Sequence, residues 1–507
     1  MNWRIKPLAD ILATAEKKSL HRSLGAFQLT MLGVGAIIGT GIFVLTAEAA
    51  QKAGPGMMIS FVIAGFVCAV AALCYAEMAS MIPVSGSAYT YSYAVLGEVV
   101  AWIVGWALVL EYAIAASTVA VGWSGYMVGL VQNINELLPF VPNIAVSQDW
   151  VNGPWNGGII NVPALVISLL VTGLLVIGTK ESALFNAVLV MVKIIALSIF
   201  IALSVPMMNL DNFQPFAPNG WIGKLGVGAA AASIFFAYVG FDAVSTAAEE
   251  TKNPNRNIPI GLIGSLAICT VFYLLVAAGA IGTVGAQPMV GSEGQALEPG
   301  SLALTAACQG QAQLVCSKEP LAFVLRQIDW PHIGNLIGLA AGLALPSVIL
   351  MMMFGQTRIF FVMARDGLLP GVFASVHEKF RTPHVVTVCT GLFVSFFAAL
   401  FPVGKLADIS NSGTLFAFLI VAAGVMILRV REPDHVRSFR TPFVWVVGPL
   451  SIGGCLFLFF QLSTYTELLF LSWTAFGLCI YFLYGRKRSH FANEAGGQPL
   501  AAESGAE

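Results

Sequence analysis

Charge is what this chain has least of. Asp, Glu, Lys and Arg make up 10% of its 507 residues, where a soluble globular domain carries about 25%. So few charges cannot cover a water-facing surface, which excludes an ordinary soluble enzyme. A basic excess is missing too: 25 Lys and Arg stand against 26 Asp and Glu, and nothing is left over to hold nucleic acid. The six histidines (His21, His332, His377, His384, His435 and His490) lie in tails, loops or segment ends without metal-ligand spacing. The eight cysteines include no C-x-x-C pair. Cys68, Cys74, Cys269, Cys389, Cys455 and Cys479 fall inside apolar runs and read as buried small hydrophobes. Cys308 and Cys316 share a polar loop. They form a disulfide if that loop faces an oxidising compartment and stay two free thiols if it does not.

What the chain has is apolar length. Apolar residues are 57% of it and the mean hydropathy is +0.83. Twelve apolar segments are each long enough to cross about 30 Å of hydrocarbon as helices. They lie near 26–50, 57–82, 97–132, 161–178, 183–206, 225–249, 260–286, 332–364, 384–403, 407–429, 443–461 and 465–485. The runs are continuous rather than alternating, which argues against a membrane β-barrel. No signal peptide precedes the first run, so the N-terminus is expected on the cytoplasmic side. Threading twelve spans from there puts only Lys52, Lys224, Lys318, Arg326 and Lys405 outside. Apart from Lys193, within a span, every other Lys and Arg falls inside, as the positive-inside rule requires. Both termini are then cytoplasmic, in a cell membrane, and the Cys308/Cys316 loop faces out. The chain divides into a cytoplasmic segment at 1–25, five spans at 26–206, five more at 225–429, a last pair at 443–485, and a disordered tail at 486–507.

Two of the spans are interrupted. The first carries Gly33, Gly35, Gly39 and Gly41 within nine residues, at a cost of roughly 1 kcal/mol each against alanine in a helix. Gly35 and Gly39 also form a small-xxx-small pair, so close helix packing is an alternative to a break. The sixth span reads Phe235-Phe236-Ala237-Tyr238-Val239-Gly240-Phe241-Asp242, again with glycine and an acid at mid-run. Five spans separate the two, so they occupy corresponding places in two five-helix halves. Paired interruptions point to an inverted-repeat transporter, with broken helices whose ends hold substrate and coupling ion. Non-helical backbone at that depth survives only where it is buried in protein or lines a cavity.

Ionisable groups at depth come next. Lys193 sits mid-way along the fifth span, where a lysine costs roughly 2.5–3.5 kcal/mol to insert. It is a candidate proton carrier, or a fixed charge where other transporters hold a sodium ion. Glu111, mid-way along the third span, is expected to line the cavity and attract a cationic group, with a structural acid as the alternative. Asp242 reads as a cap on the half-helix after the sixth-span break. Glu77 reads as a member of an inner gate, while Glu249, Glu250, Asp366 and Asp408 read as solvated or interfacial charges. Pro346 is expected to kink the eighth span, with Ser347 bonding freed backbone. Tyr89, Tyr91 and Tyr93 read as an interfacial aromatic belt.

The string Gly35-Ala36-Ile37-Ile38-Gly39-Thr40-Gly41-Ile42-Phe43 resembles the first-helix signature of the amino acid-polyamine-organocation (APC) superfamily. Phe236-Ala237-Tyr238-Val239-Gly240-Phe241-Asp242, with Ala248-Glu249-Glu250-Thr251-Lys252-Asn253-Pro254, resembles the sixth helix of its cationic amino acid transporter subfamily. Gly355-Gln356-Thr357-Arg358 and Met363-Ala364-Arg365-Asp366-Gly367-Leu368-Leu369-Pro370 resemble the end of the eighth helix and the loop beyond it. The likeness runs over about residues 20–485 and is of the bacterial, twelve-helix type.

This resemblance implies an all-α membrane fold of 12 transmembrane helices, a 5+5 inverted repeat (the LeuT-like fold) plus two C-terminal helices. It implies that a substrate carboxylate meets backbone N–H groups at Thr40 and Gly41. The ammonium would meet carbonyls of Ile37, Phe236, Ala237 and Val239, with Phe236 closing over the substrate. Lys193 matches the lysine of proton-coupled members and Glu111 a third-helix acid of the subfamily. Helix N-termini favour a carboxylate and C-terminal carbonyls an ammonium, so the chemistry agrees. The expectation is a proton-coupled amino acid symporter working by alternating access, with no cofactor beyond the proton. Its partners would be a cationic or small neutral amino acid and the lipid bilayer, with a small membrane subunit left open. The alternative is an amino acid exchanger without net proton flow. A sensor lacks a signalling domain, and an enzyme lacks a nucleophile–base pair or metal cluster.

Overall fold

The computed structural model describes residues 24–82, 87–178, 183–242, 244, 251–437 and 439–489. Lys180, Glu249 and Glu250, and most of the two terminal segments, lie outside the described residues. Among the described residues the chain is all-helical, with β-structure limited to three isolated bridges. Eight helices are long and apolar enough to cross a membrane, and four shorter apolar helices accompany them: Ala26–Ile37, Val162–Ile177, Val227–Tyr238 and His384–Leu400. In hydrocarbon a helix satisfies its own backbone, which is why continuous apolar runs adopt this form.

The elements that build the site are these. The first span is split into α1 (Ala26–Ile37), α2 (Thr40–Phe43) and α3 (Leu45–Ala53), and α4 (Met57–Met81) follows. A short α5 (Ser87–Val95) leads into α6 (Glu98–Gln132), then α7 (Val162–Ile177) and α8 (Ala183–Ser204). α9 (Val227–Ile234) tightens into a 3₁₀ turn at Phe235–Tyr238, and α10 is Pro254–Val284. The long loop that follows carries α11 (Leu302–Ala307) and α12 (Pro320–Gln327). Then come α13 (Pro331–Arg365), α14 (His384–Leu400), α15 (Val403–Arg431), α16 (Val444–Gln461) and α17 (Thr464–Ile480). α6 packs along both α13 and α15, and α1 packs along α10.

Small residues and buried polar pairs set these approaches. A β-carbon on Gly33 would stand 2.5 Å from Ser265 Oγ of α10, and one on Gly35 would stand 2.3 Å from Val190 of α8. Pro346 does not end α13. Having no N–H, it frees the carbonyl of Gly342 four residues earlier. The Trp123 indole of α6 donates to that carbonyl at 2.8 Å, and the Ser347 hydroxyl bonds Ala344 O. Trp106 and Trp473 stack at 4.7 Å and exchange indole-to-carbonyl bonds, fastening α17 to α6.

Packing overturns the expectations for Tyr89, Tyr91, Tyr93, Asp408, Cys389 and Cys479, gives Glu77 its partners and closes the disulfide. Tyr89, Tyr91 and Tyr93 are buried rather than interfacial. Tyr89 donates to Asp366 and Tyr93 to Glu98, because α5 turns inward against α6 and α15. Asp408 and Lys52 are also buried, and they face each other at 3.2 Å between α15 and α3. Cys389 and Cys479 are exposed, since their positions on α14 and α17 face outward from the bundle. Glu77 lies between two arginines: its carboxylate takes two bonds from Arg429 at 2.7 and 2.8 Å, and Arg437 stands 3.2 Å away. Cys308 and Cys316 are joined as a disulfide within the α11–α12 loop, Cα–Cα 5.6 Å.

Candidate functional site

The site is where the two interrupted spans meet. α1 ends at Ile37 because Ile38 turns to φ -70°, ψ 101° and Gly39 to φ -153°, ψ -149°, after which a new helix begins at Thr40. An α-helix leaves its last carbonyls without intrahelical donors and its first N–H groups without acceptors. The freed carbonyls of α1 can be traced one by one. Gly35 O accepts from Lys193 Nζ at 3.0 Å. Ala36 O faces Gly240, where a β-carbon would lie 2.8 Å away. Ile37 O accepts from the Tyr273 hydroxyl at 2.9 Å.

The second interruption follows the same logic. Val239 N–H bonds back to Phe236 O, closing the 3₁₀ turn, and Val239 then becomes extended. Gly240 takes φ +114°, a region that a residue with a side chain avoids. Ala237 O accepts from the same Tyr273 hydroxyl at 2.8 Å. Asn411 of α15 donates to Ala232 O at 2.7 Å and Ser233 O at 3.2 Å, satisfying carbonyls just before the turn.

The two interruptions touch. A β-carbon on Gly41 would stand 2.2 Å from Ala237 Cα, so only glycine lets α2 lie against the turn. Ile37, Thr40, Gly41, Phe236, Ala237 and Val239 therefore come together and are all buried. The Thr40 hydroxyl is buried without a hydrogen-bond partner, beside Gly122 of α6. The N-terminus of α2 and the C-terminal ends of α1 and the 3₁₀ turn offer opposite partial charges within one small region.

Lys193 is 2% exposed, and its ammonium rests on the negative end of α1 through Gly35 O. Glu111 is buried on α6 toward α15. Its backbone carbonyl accepts from Ser410, a β-carbon on Gly413 would lie 3.1 Å from its Cβ, and its Oε2 has no hydrogen-bond partner. The Tyr112 hydroxyl, next along α6, donates to Asp242 at 2.9 Å.

Sequence reasoning missed Tyr273, because an isolated tyrosine in an apolar span carries no local signal. It also missed Asn411, which had one: Asp408-Ile409-Ser410-Asn411-Ser412-Gly413-Thr414 is a polar run inside an apolar span.

Residues 24–484 match the family model described as amino acid permease, and the chain belongs to that family. It is 44% identical to the branched-chain amino acid permease BcaP of Bacillus subtilis (strain 168), over 96% of this chain and 98% of that protein. It is 43% identical to the methylthioribose transporter of the same organism, with the same coverage. Cationic amino acid transporter 4 of Homo sapiens is 32% identical over 86% of this chain and 64% of its own length. The protein is thus a multi-pass membrane permease, not an enzyme.

Proposed function

We propose that this permease is a proton-coupled amino acid symporter of the cell membrane, with twelve spans in a 5+5 inverted repeat plus two helices and both termini cytoplasmic. The observation that carries the reading is the meeting of the two interruptions, with Gly41 against Ala237 and the Ile37 and Ala237 carbonyls sharing one hydroxyl. Discontinuous helices hold a zwitterion between the N-terminus of one half-helix and the carbonyls of another, and the meeting of the two interruptions supports that reading. The substrate carboxylate takes the N–H groups of Thr40 and Gly41. Its ammonium takes carbonyls from Ile37, Phe236, Ala237 and Val239.

Lys193 supplies the coupling. A protonated ammonium on Gly35 O holds α1 against α8. Loss of the proton leaves an amine that still donates but carries no charge, which weakens the hold on the negative end of α1 and lets α1 move. The relatives' names widen the substrate question, since they include branched-chain and cationic amino acids and methylthioribose. Uptake into proteoliposomes of a panel covering these and small neutral amino acids, with and without an inward proton gradient, tests the reading. Gradient-driven accumulation of an amino acid is expected. Uptake only into liposomes preloaded with amino acid would make the protein an exchanger, and exclusive uptake of methylthioribose would overturn the substrate class.

A further inference from the structure

A cavity among the described residues lies outside the interruptions. It measures about 500 Å³ and lies on the side that carries the disulfide loop, within the range of small-molecule pockets (about 300–1,000 Å³). Its wall comes from α3, α6 and the loops around Asn152, Cys308–Cys316 and Lys318. It borders the interruption: Val44, at the junction of α2 and α3, lines it, and so do Ser124 and Gly125, within a turn of the Gly122 that packs on Thr40.

Two charged groups of opposite sign face this space. Glu48 of α3 has one carboxylate oxygen buried without a hydrogen-bond partner. Lys318 is bonded to the side-chain oxygen of Asn152, and among the described residues it has no carboxylate partner. Lys318 is thus held by a neutral amide and no counter-charge, while Glu48, with Lys52 and the Gly404 N–H beside it, keeps one oxygen unsatisfied; such a wall is incomplete by itself, because each group loses solvation without a full partner. A free amino acid carries the complement of both.

We propose that this cavity is a second amino acid site, an antechamber in which Lys318 takes the substrate carboxylate and Glu48 takes its ammonium before transfer to the interruption. The site rests on the reading of the chain as an amino acid permease. Its wall is tied to the transport machinery, because Gln51 of α3 bonds Met289 O at 3.1 Å, Leu297 O at 2.7 Å and Met289 N–H at 2.7 Å. Any movement of α3 therefore carries the loop and reshapes the cavity.

Equilibrium binding of radiolabelled L-leucine, L-alanine and L-arginine to the full chain in lipid nanodiscs tests this. Two molecules per chain are expected for at least one probe. Lys318→Gln should weaken one site by at least about tenfold, the loss of a charge-assisted contact, while Lys318→Arg retains it and so reports that the loop still folds. Gly41→Leu should remove the other site and leave the Lys318-dependent one. One molecule per chain, unchanged by Lys318→Gln but lost in Gly41→Leu, would overturn the antechamber and keep the interruption as the site. Binding untouched by Gly41→Leu but lost in Lys318→Gln supports the antechamber and removes the central reading. No binding of any probe would overturn both.

Discussion

The hydroxyl of Tyr273 stands 2.9 Å from the carbonyl oxygen of Ile37, and the same oxygen stands 2.8 Å from that of Ala237. One hydroxyl has one proton, so the two carbonyls share it and a single donor holds two helix ends together. Tyr273→Phe leaves both carbonyls without it, at a cost of about 1–3 kcal/mol for a buried unsatisfied acceptor. The variant should melt at lower temperature, and saturating substrate should recover more of the loss than it adds to the wild type. An unchanged melting temperature would show that other donors take over.

At Gly35 the prediction is a rescue. A β-carbon there meets the Val190 side chain at 2.3 Å, so Gly35→Ala pushes α1 from α8 and draws Gly35 O from the Lys193 ammonium. Uptake should fall at least about tenfold. Val190→Ala added to it should restore most of the activity, since the clash is with a side chain and not with backbone. Failure of the double variant to recover would place the defect in backbone conformation instead.

Lys193→Ala should abolish gradient-driven accumulation while leaving amino acid exchange measurable. Parallel flux assays with and without a pH gradient separate the two. Accumulation that still follows the gradient in the variant would remove Lys193 from the coupling.

The Lys52–Asp408 pair, buried with Ser233 between them, should behave as a buried ion pair. Removing either partner alone leaves a buried charge and should cost about 3–5 kcal/mol. The double substitution Lys52→Met with Asp408→Leu should cost less than either single. Thermal unfolding of the wild type and the three variants closes the cycle and gives the coupling energy.

The α11–α12 loop should loosen as pH rises. Burial lifts the Glu319 carboxyl from 4.5 to about 7, against the opposing pull of Arg326. The docked loop thus binds a proton that the undocked loop has lost between those values. Its stabilisation is complete below about pH 4.5 and is lost as pH rises through 7. Amide exchange of α12, corrected for intrinsic rates, should speed up across that window, and Glu319→Gln should flatten the profile.

Much of this protein was legible in the sequence because hydropathy and backbone preference are local. A span announces itself by twenty apolar neighbours, and an interruption by glycines that a helix would not otherwise carry, as at Gly39, Gly41 and Gly240. Lys193 stood out because few lysines are tolerated at that depth. The family resemblance at Gly35–Phe43 and Phe236–Asp242 then named residues that the fold does bring together.

The partners of those residues could not be read the same way. Tyr273 is 236 positions from Ile37 in the chain, and Lys52 is 356 from Asp408. No periodicity links such positions. Tyr89, Tyr91 and Tyr93 have the composition of an interfacial belt, yet packing of α5 turns them inward onto Asp366 and Glu98. Sequence determined which segments are long and apolar, where two of them break and that a lysine lies within one. The tertiary structure decided which carbonyl, hydroxyl and ammonium meet, because a broken helix leaves polar groups that only a neighbour arriving from elsewhere in the chain can satisfy.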